Sequence, residues 1–169
     1  MGNLYSVAFS SVNATGVAKE LFEIIGSTLS SFRVWGLTIG QIAAALSSSA
    51  IETLTVGLWR GSTVGSSGTA VTPIRLNARS SATASFTALI NSSALGATAA
   101  SAQLVLAKVW NTQNDFVWQA RADGDIDERP VCILGQRLHV RLGAPAGTIA
   151  LGGTLLIEEI GRLPGSTVK

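Results

Sequence analysis

The sequence predicts an all-β fold, a sandwich or barrel of antiparallel strands joined by long loops. Apolar and polar residues alternate with a period of two along most of the chain, as they do in strands that bury one face. The alternating segments follow one another at short intervals, with turn-forming residues between them, which is typical of sandwiches and barrels. Because the 169 residues contain no internal repeat and no linker, we expect one domain over residues 1–169.

The segment RLHVRLG has the clearest alternation. Its three apolar residues share one face and its three basic residues the other, in the order Arg137, Leu138, His139, Val140, Arg141, Leu142. We expect the apolar face to fill the core and the basic face to stand toward solvent or a partner. Replacing both arginines by Ser is then expected to leave the fold intact.

Four further segments predict long strands. TIALGGTLLIEEI is expected to kink at its paired glycines and to bury Ile149, Leu151, Leu155 and Ile157. RVWGLTIG places Trp35, Leu37 and Ile39 on a common side, and ETLTVGLWRG does the same with Leu54, Val56 and Leu58. AQLVLAKVW is almost continuously apolar, which favours a strand buried on both faces. Shorter strands are predicted at residues 4–10, 21–25, 84–90, 116–119 and 131–134.

The intervening segments predict loops. GQIAAALSSSAIE favours a helix by its alanines, but its serines make a long loop an equal alternative. Residues 61–84 and 91–102 are small, uncharged and typical of flexible connections between strands. The glycines of residues 61–68 resemble a phosphate-binding loop, but no Lys follows Gly68 and Pro73 opposes a helix there, so a nucleotide site is not expected.

The composition points to a protein that packs against neighbours. The chain is 47% hydrophobic and only 13% charged, about half the usual charged share. A net charge of +2, from scattered basic residues, predicts no nucleic-acid partner. No apolar run is long enough for a membrane helix, so no membrane partner is expected. The single cysteine, Cys132, excludes an internal disulfide and is expected to be a small buried hydrophobe.

The acidic segment DGDIDE places Asp123, Asp125 and Asp127 at alternate positions, as in a calcium-binding loop. The Gly and Glu that such a loop needs at its sixth and twelfth positions are absent. We therefore expect a solvated acidic turn, paired with Arg121 and Arg129 or with the arginines of a neighbouring protein.

No arrangement of residues predicts catalysis, a cofactor or a metal. His139 is the only histidine, whereas a metal-binding cupin would need several, and no serine lies in a nucleophile motif. Of the four tryptophans, Trp35, Trp59, Trp110 and Trp118, three lie in strongly apolar strands, so a core position is favoured over a sugar-binding platform.

Four stretches carry a resemblance to a known family: LYSVAFSSVNATGVAKELFEI, FRVWGLTIGQ, LWRGSTVGSSGTAVTPIRL and ERPVCILGQRLHVRLGAPAGTIALGGTLLIEEIG. In order and spacing, from residue 4 to 161, the chain resembles the capsid decoration or cement proteins of tailed bacteriophages. It departs from that family at QARADGDID, where relatives tend to be rich in proline.

The resemblance implies a jelly-roll-like β-sandwich without catalytic residues. It also implies a homotrimer on the virion surface, made in the cytoplasm of the host bacterium, that clamps neighbouring subunits of the major capsid protein. Six residues are then expected to contact the capsid or a sister subunit: Asp123, Asp125, Asp127, Arg137, His139 and Arg141. The alternative is a receptor- or carbohydrate-binding module of a phage fibre or tail.

Overall fold

A computed structural model describes residues 3–28, 30–42, 52–62, 68–77, 83–92, 95, 102–123 and 126–160. All regular elements within these residues are strands: β1 (Asn3–Thr15), β2 (Lys19–Ile25), β3 (Ser31–Gln41), β4 (Thr53–Gly61), β5 (Thr69–Val71), β6 (Ile74–Arg75), β7 (Thr87–Ser92), β8 (Gln103–Asn111), β9 (Phe116–Gln119), β10 (Ala122–Asp123), β11 (Ile126–Asp127), β12 (Val131–Cys132), β13 (Arg137–Leu142) and β14 (Thr148–Ile160). The all-β prediction is confirmed. Most of the segment expected to be helix or loop, residues 43–51, lies outside the described residues.

The strands form two antiparallel sheets. Sheet A has the order β12-β3-β14-β1-β6, with β9 also paired to β3, and sheet B has the order β5-β7-β2-β13-β4-β8. The short strands β5 and β6 interrupt the segment 61–84, which was expected to be only a connection. The strands β10 and β11 form a separate hairpin beside the two sheets.

The pairing is that of a jelly roll. The strand β1 pairs with β14, β2 with β13, β3 with β9 and β4 with β8, so each pair is nested inside the one before it along the chain. Successive pairs alternate between sheet A and sheet B. A long antiparallel hairpin rolled into two sheets has this connectivity.

The core lies between the two sheets and follows the predicted alternation where strands are regular. Leu138, Val140 and Leu142 of β13 are fully buried. Also buried, as expected, are Leu54, Val56, Leu58, Ile149, Leu151, Leu155 and Ile157. Aromatic contacts join the sheets, since the ring centroids of Phe9 in β1 and Phe22 in β2 lie 5.0 Å apart. These contacts fix both sheets against one apolar layer.

The paired glycines in β14, where a kink was predicted, lie opposite an irregularity of the neighbouring strand within a continuous β14. The pairing of β14 with β1 shifts between Phe9 and Val12, so β1 bulges opposite this point. A Cβ atom on Gly153 would lie 2.9 Å from the carbonyl oxygen of Thr38 and 3.0 Å from the ring of Phe9. Glycine is therefore required here because backbone and ring approach so closely.

Trp35 does not share a side with Leu37 and Ile39, so that part of the prediction is wrong. The pairing of β14 with β3 shifts from Leu156–Gly36 to Ile157–Val34, which leaves Trp35 as the extra residue of a β-bulge. The bulge turns Trp35 to the outer face of sheet A, where it is half-buried.

The prediction that AQLVLAKVW is buried on both faces is also wrong. It forms β8, the last strand of sheet B, with no neighbour beyond it among the described strands. Leu104 is 49% exposed and Val109 is 72% exposed, while Trp110 is buried in the core. Among the described residues, no helix is long and apolar enough to span a membrane.

Candidate functional site

The basic face of β13 is covered rather than open to solvent. His139 is fully buried, and the side chains of Arg137 and Arg141 keep only 17% and 12% of their surface exposed. The assignment of these residues to the face away from the core is correct, because Leu138 and Val140 face inward. Their expected availability to a partner is wrong, since each meets a charged group of its own chain.

Two glutamates of β2 supply those groups. The Arg137 guanidinium donates a hydrogen bond to Glu23 Oε1 at 2.8 Å, and Arg141 Nε lies 3.5 Å from Glu20 Oε2. His139 Nδ1 lies 3.1 Å from Glu20 Oε1. Both glutamates are fully buried. A buried carboxylate requires such partners because its charge has left water.

A β-bulge brings the two glutamates to one face. Residues three apart in a regular strand point to opposite sides. In β2 the pairing shifts from Val140–Phe22 to Arg141–Glu20, which leaves Leu21 as the extra residue. Glu20 and Glu23 therefore both lie beside β13. Sequence reasoning missed them, although two acidic residues inside the apolar segment KELFEII were an available signal.

Trp59 and His139 occupy directly opposite positions on β4 and β13. The guanidinium carbon of Arg141 lies 5.2 Å from the centroid of the Trp59 ring, within the range of a cation–π contact. We call Glu20, Glu23, Arg137, His139 and Arg141 the buried charged cluster. Ligand atoms of Glu20, Glu23 and His139 all lie within 4.8 Å of one another.

A second charged group lies on the outer face of sheet A. Glu158 Oε2 accepts hydrogen bonds from Arg33 Nε at 2.8 Å and from the Trp35 indole at 2.6 Å. Arg129 reaches the same oxygen at 3.5 Å, and its guanidinium carbon lies 4.5 Å from the Trp35 ring centroid. The bulge at Trp35 thus places an indole N–H beside a buried carboxylate. Sequence reasoning missed both Arg33 and Glu158.

Asp127 joins this group to the acidic turn. Its carboxylate accepts hydrogen bonds from Arg129 Nε and Nη2, both at 2.6 Å, and from Arg33 Nη1 at 3.0 Å. The hydrogen bond from Arg129 is the main cause that lowers the pKa of Asp127 to about 2. The expected pairing of the acidic segment with Arg129 is confirmed at Asp127. Arg121 contributes its backbone carbonyl, which accepts a hydrogen bond from the Glu128 N–H at 2.9 Å.

The structure describes less of the other two aspartates of the turn. Asp123 pairs through its backbone with Ile126, but its side chain is not described, and Asp125 lies outside the described residues. Both oxygens of Asp127 accept hydrogen bonds from guanidinium groups, so this carboxylate binds arginine rather than a metal ion.

Within the described part of the chain, no strand pairs beyond the outermost strands of the two sheets, and these edges expose apolar side chains. At one edge, Val109 of β8 and Val117 of β9 are 72% and 65% exposed. A groove of about 420 Å³ lies there, lined by residues 108–111 and 114–119. At the opposite edge, formed by β5 and β6, Ile74 is 66% exposed and Leu76 is 52% exposed. We call these the β8/β9 edge and the β5/β6 edge.

The tryptophans are distributed differently from the prediction. Of the four, Trp110 alone is buried in the core, while Trp35 and Trp59 lie half-buried on the outer faces. Trp118 is half-buried and lines the groove at the β8/β9 edge. Cys132 is fully buried, as predicted, and this burial raises the pKa of its thiol to about 12.

Comparison with known proteins yields distant structural similarities. No protein-family model matches the chain, and no curated protein matches it. The chain is similar to that of the T=1 particles derived from infectious bursal virus, at 15% identity and a TM-score of 0.23, over 94% of this chain and 40% of that one. For the T13 particle of the same virus the identity is 15% and the TM-score 0.20, over 94% and 39%. The chain thus spans about 40% of the length of those viral chains. The jelly-roll assignment rests on the strand pairing alone, and the resemblance to phage decoration proteins stays a prediction.

Proposed function

We propose that this protein is a structural component of a phage virion that decorates or cements the capsid by binding across neighbouring major capsid subunits. Its action is binding, without catalysis or a cofactor. The observation that carries the proposal is the exposure of large apolar side chains along both open edges of the sandwich. Sheet edges of this kind pair with other chains unless they are guarded.

The β8/β9 edge supports the proposal most directly. The strand β8 is nine residues long, carries one charged side chain, Lys108, and contains no proline. Soluble monomers usually protect an edge strand with charges, proline or short length. Leu104, Val105 and Val109 are instead exposed along it. Covering these side chains would remove apolar surface from water, which favours association.

The two edges differ from each other, which supports a cyclic oligomer. If the β8/β9 edge of one copy meets the β5/β6 edge of the next, the contact is heterologous and closes into a ring when the rotation fits. We propose a ring of three. A trimer on a symmetric shell would bind by several weak contacts at once, and such contacts gain strength by avidity.

Mass spectrometry of the purified virion tests the function. Hundreds of copies, in fixed ratio to the major capsid protein, are expected of a decoration protein. A handful of copies would mean a fibre or connector and would overturn the proposal. Binding of the purified protein to capsids stripped of it is expected to restore that ratio.

A pair of matched variants tests the edge. Val109→Asp with Val117→Asp places two charges on the β8/β9 edge, while Val17→Asp changes a residue that is equally exposed, at 65%, but lies outside both edges. We expect the double variant to fold, to lose the trimer in light scattering and to bind capsids more weakly. Val17→Asp should behave as wild type. A wild-type monomer at micromolar concentration, or equal capsid binding by all three proteins, would contradict the edge model.

The groove favours a second candidate, a carbohydrate-binding module of a phage fibre or tail. Trp118 lines it beside the polar side chains of Asn111, Asn114 and Gln119. An aromatic face with amide groups around it suits a sugar ring. A glycan-array signal that Trp118→Ala abolishes would support this candidate, and the absence of any signal would reject it.

A further inference from the structure

The contact between His139 and Glu20 is close but is not a hydrogen bond. Nδ1 lies 3.1 Å from Glu20 Oε1, yet the two atoms are not aligned for donation, and neither nitrogen of His139 has a hydrogen-bond partner among the described residues. The side chain is fully buried. A buried polar group without a hydrogen bond is costly, so this imidazole requires another partner.

The distance fits two ligands of one metal ion. Ligand atoms about 2.0–2.2 Å from a metal, at tetrahedral or octahedral angles, lie about 3.0–3.5 Å from each other. The 3.1 Å between Nδ1 and Oε1 falls in that range. A carboxylate oxygen of Glu23 completes a set of three ligand atoms within 4.8 Å of one another.

One arginine holds a carboxylate in place, and the other faces a carboxylate by charge alone. Arg137 donates a hydrogen bond to Glu23 Oε1 and so fixes the orientation of the other oxygen, whereas Arg141 Nε lies 3.5 Å from Glu20 Oε2 without a hydrogen bond. Groups that bind the outer atoms of metal ligands orient them in this way. The guanidiniums also balance the charge of the carboxylates, so a dication adds net charge, and we expect micromolar rather than nanomolar affinity.

We propose that Glu20, Glu23 and His139 form a binding site for one divalent transition-metal ion, with Zn²⁺ as the probe. One imidazole and two carboxylates are ligands that Zn²⁺ accepts. Because all three residues are fully buried, the ion has no face open to a substrate. It would join β2 to β13 on the outer face of sheet B, which is a structural role.

The imidazole of His139 is a unique reporter, because the chain contains one histidine. Untagged full-length protein is stripped with chelator, and its imidazole NMR signals are followed while Zn²⁺ is added at constant pH. We expect the signals to shift and saturate near one equivalent, and equilibrium dialysis against an excess of Zn²⁺, corrected for the free ion, to find about one Zn²⁺ per chain. The melting temperature should rise by several degrees and return when chelator is added.

Two variants separate the proposed ligands from the thiol. Cys132→Ser removes the one thiol and should bind Zn²⁺ as wild type does, whereas His139→Gln should lose binding at least tenfold. If the His139 variant fails to fold, the wild-type NMR titration decides. Imidazole signals unchanged by a tenfold excess of Zn²⁺ would overturn the proposal. Zinc binding that Cys132→Ser abolishes would overturn it as well.

Discussion

The guanidinium of Arg137 donates a hydrogen bond to the fully buried carboxylate of Glu23 across 2.8 Å, between neighbouring strands of sheet B. The Arg137 side chain therefore binds a residue of its own chain and is not free to bind a partner protein. Arg141 faces the other buried glutamate, Glu20, with its Nε 3.5 Å from Oε2, as an ion pair without a hydrogen bond. Two arginines that the sequence pattern predicted to be replaceable by Ser thus neutralise two buried carboxylates.

Replacing Arg137 and Arg141 by Ser should destabilise the fold, contrary to the expectation from alternation alone. The change leaves Glu20 and Glu23 without their guanidinium partners, and breaking a buried ion pair costs about 3–5 kcal/mol. Urea unfolding should show a loss of at least about 3 kcal/mol. The control is Lys108→Ser with Arg121→Ser, which removes the same charge from exposed positions. A double variant as stable as this control would mean that the two arginines contribute nothing to the free energy of unfolding.

Val140→Asp should prevent folding. Val140 is fully buried between the sheets, where an aspartate would have neither water nor a positive partner. Circular dichroism and solubility measure the loss. The same substitution at Val17, which is 65% exposed, should leave the spectrum and the melting temperature unchanged. A folded Val140→Asp protein would show that the inward face of β13 has been assigned incorrectly.

Alternation predicted the faces of β4, β13 and β14 because these strands face the core along regular stretches. It failed at Trp35 and could not place Glu20 with Glu23, since a bulge changes the period by one residue and leaves no clear mark in the sequence. Each bulge also created a charged contact that the sequence did not suggest. The two sites therefore arise where the pattern breaks.

Burial depends on neighbours that a local pattern does not reveal. The apolar segment of β8 is typical of a central strand, yet its place at the end of sheet B leaves Val109 exposed. The same limit applies to His139, whose flanking arginines suggested a solvated face. The glutamates that face these arginines come from β2, more than one hundred residues earlier in the chain.

Asp127 should make the protein sensitive to acid over a narrow range. Its pKa is lowered to about 2 in the folded state, chiefly by the hydrogen bond from Arg129, while an unfolded aspartate has the ordinary value of 3.8. The unfolded state thus binds more protons between these values, so the contribution is complete above about pH 4 and is lost as pH falls toward 2. Because the side chain is 42% exposed, we expect less than about 1 kcal/mol.

Carbon-13 NMR of the Asp127 carboxylate measures its pKa, and urea unfolding at several acidic pH values measures the effect on stability. Asp127→Asn should flatten the pH dependence between about pH 4 and 2. Arg129→Gln should raise the pKa of Asp127 toward its ordinary value because it removes the main cause of the shift, while the backbone hydrogen bond and the charge of Arg33 remain. A carboxylate that titrates near 3.8 in the wild-type protein would refute the hydrogen-bonded geometry.

Cys132 should be unreactive while the protein is folded. Burial raises the pKa of its thiol to about 12, so at pH 8 roughly one molecule in ten thousand carries the nucleophilic thiolate. Labelling by a thiol reagent should therefore occur only through unfolding and should accelerate steeply with added urea. The raised pKa also predicts a loss of stability in alkali, because above about pH 9 the unfolded thiol releases a proton that the folded thiol keeps up to about 12. Cys132→Ala should remove the part of the alkaline loss that this thiol causes. Rapid labelling that urea does not change would show instead that the thiol is accessible in the folded protein.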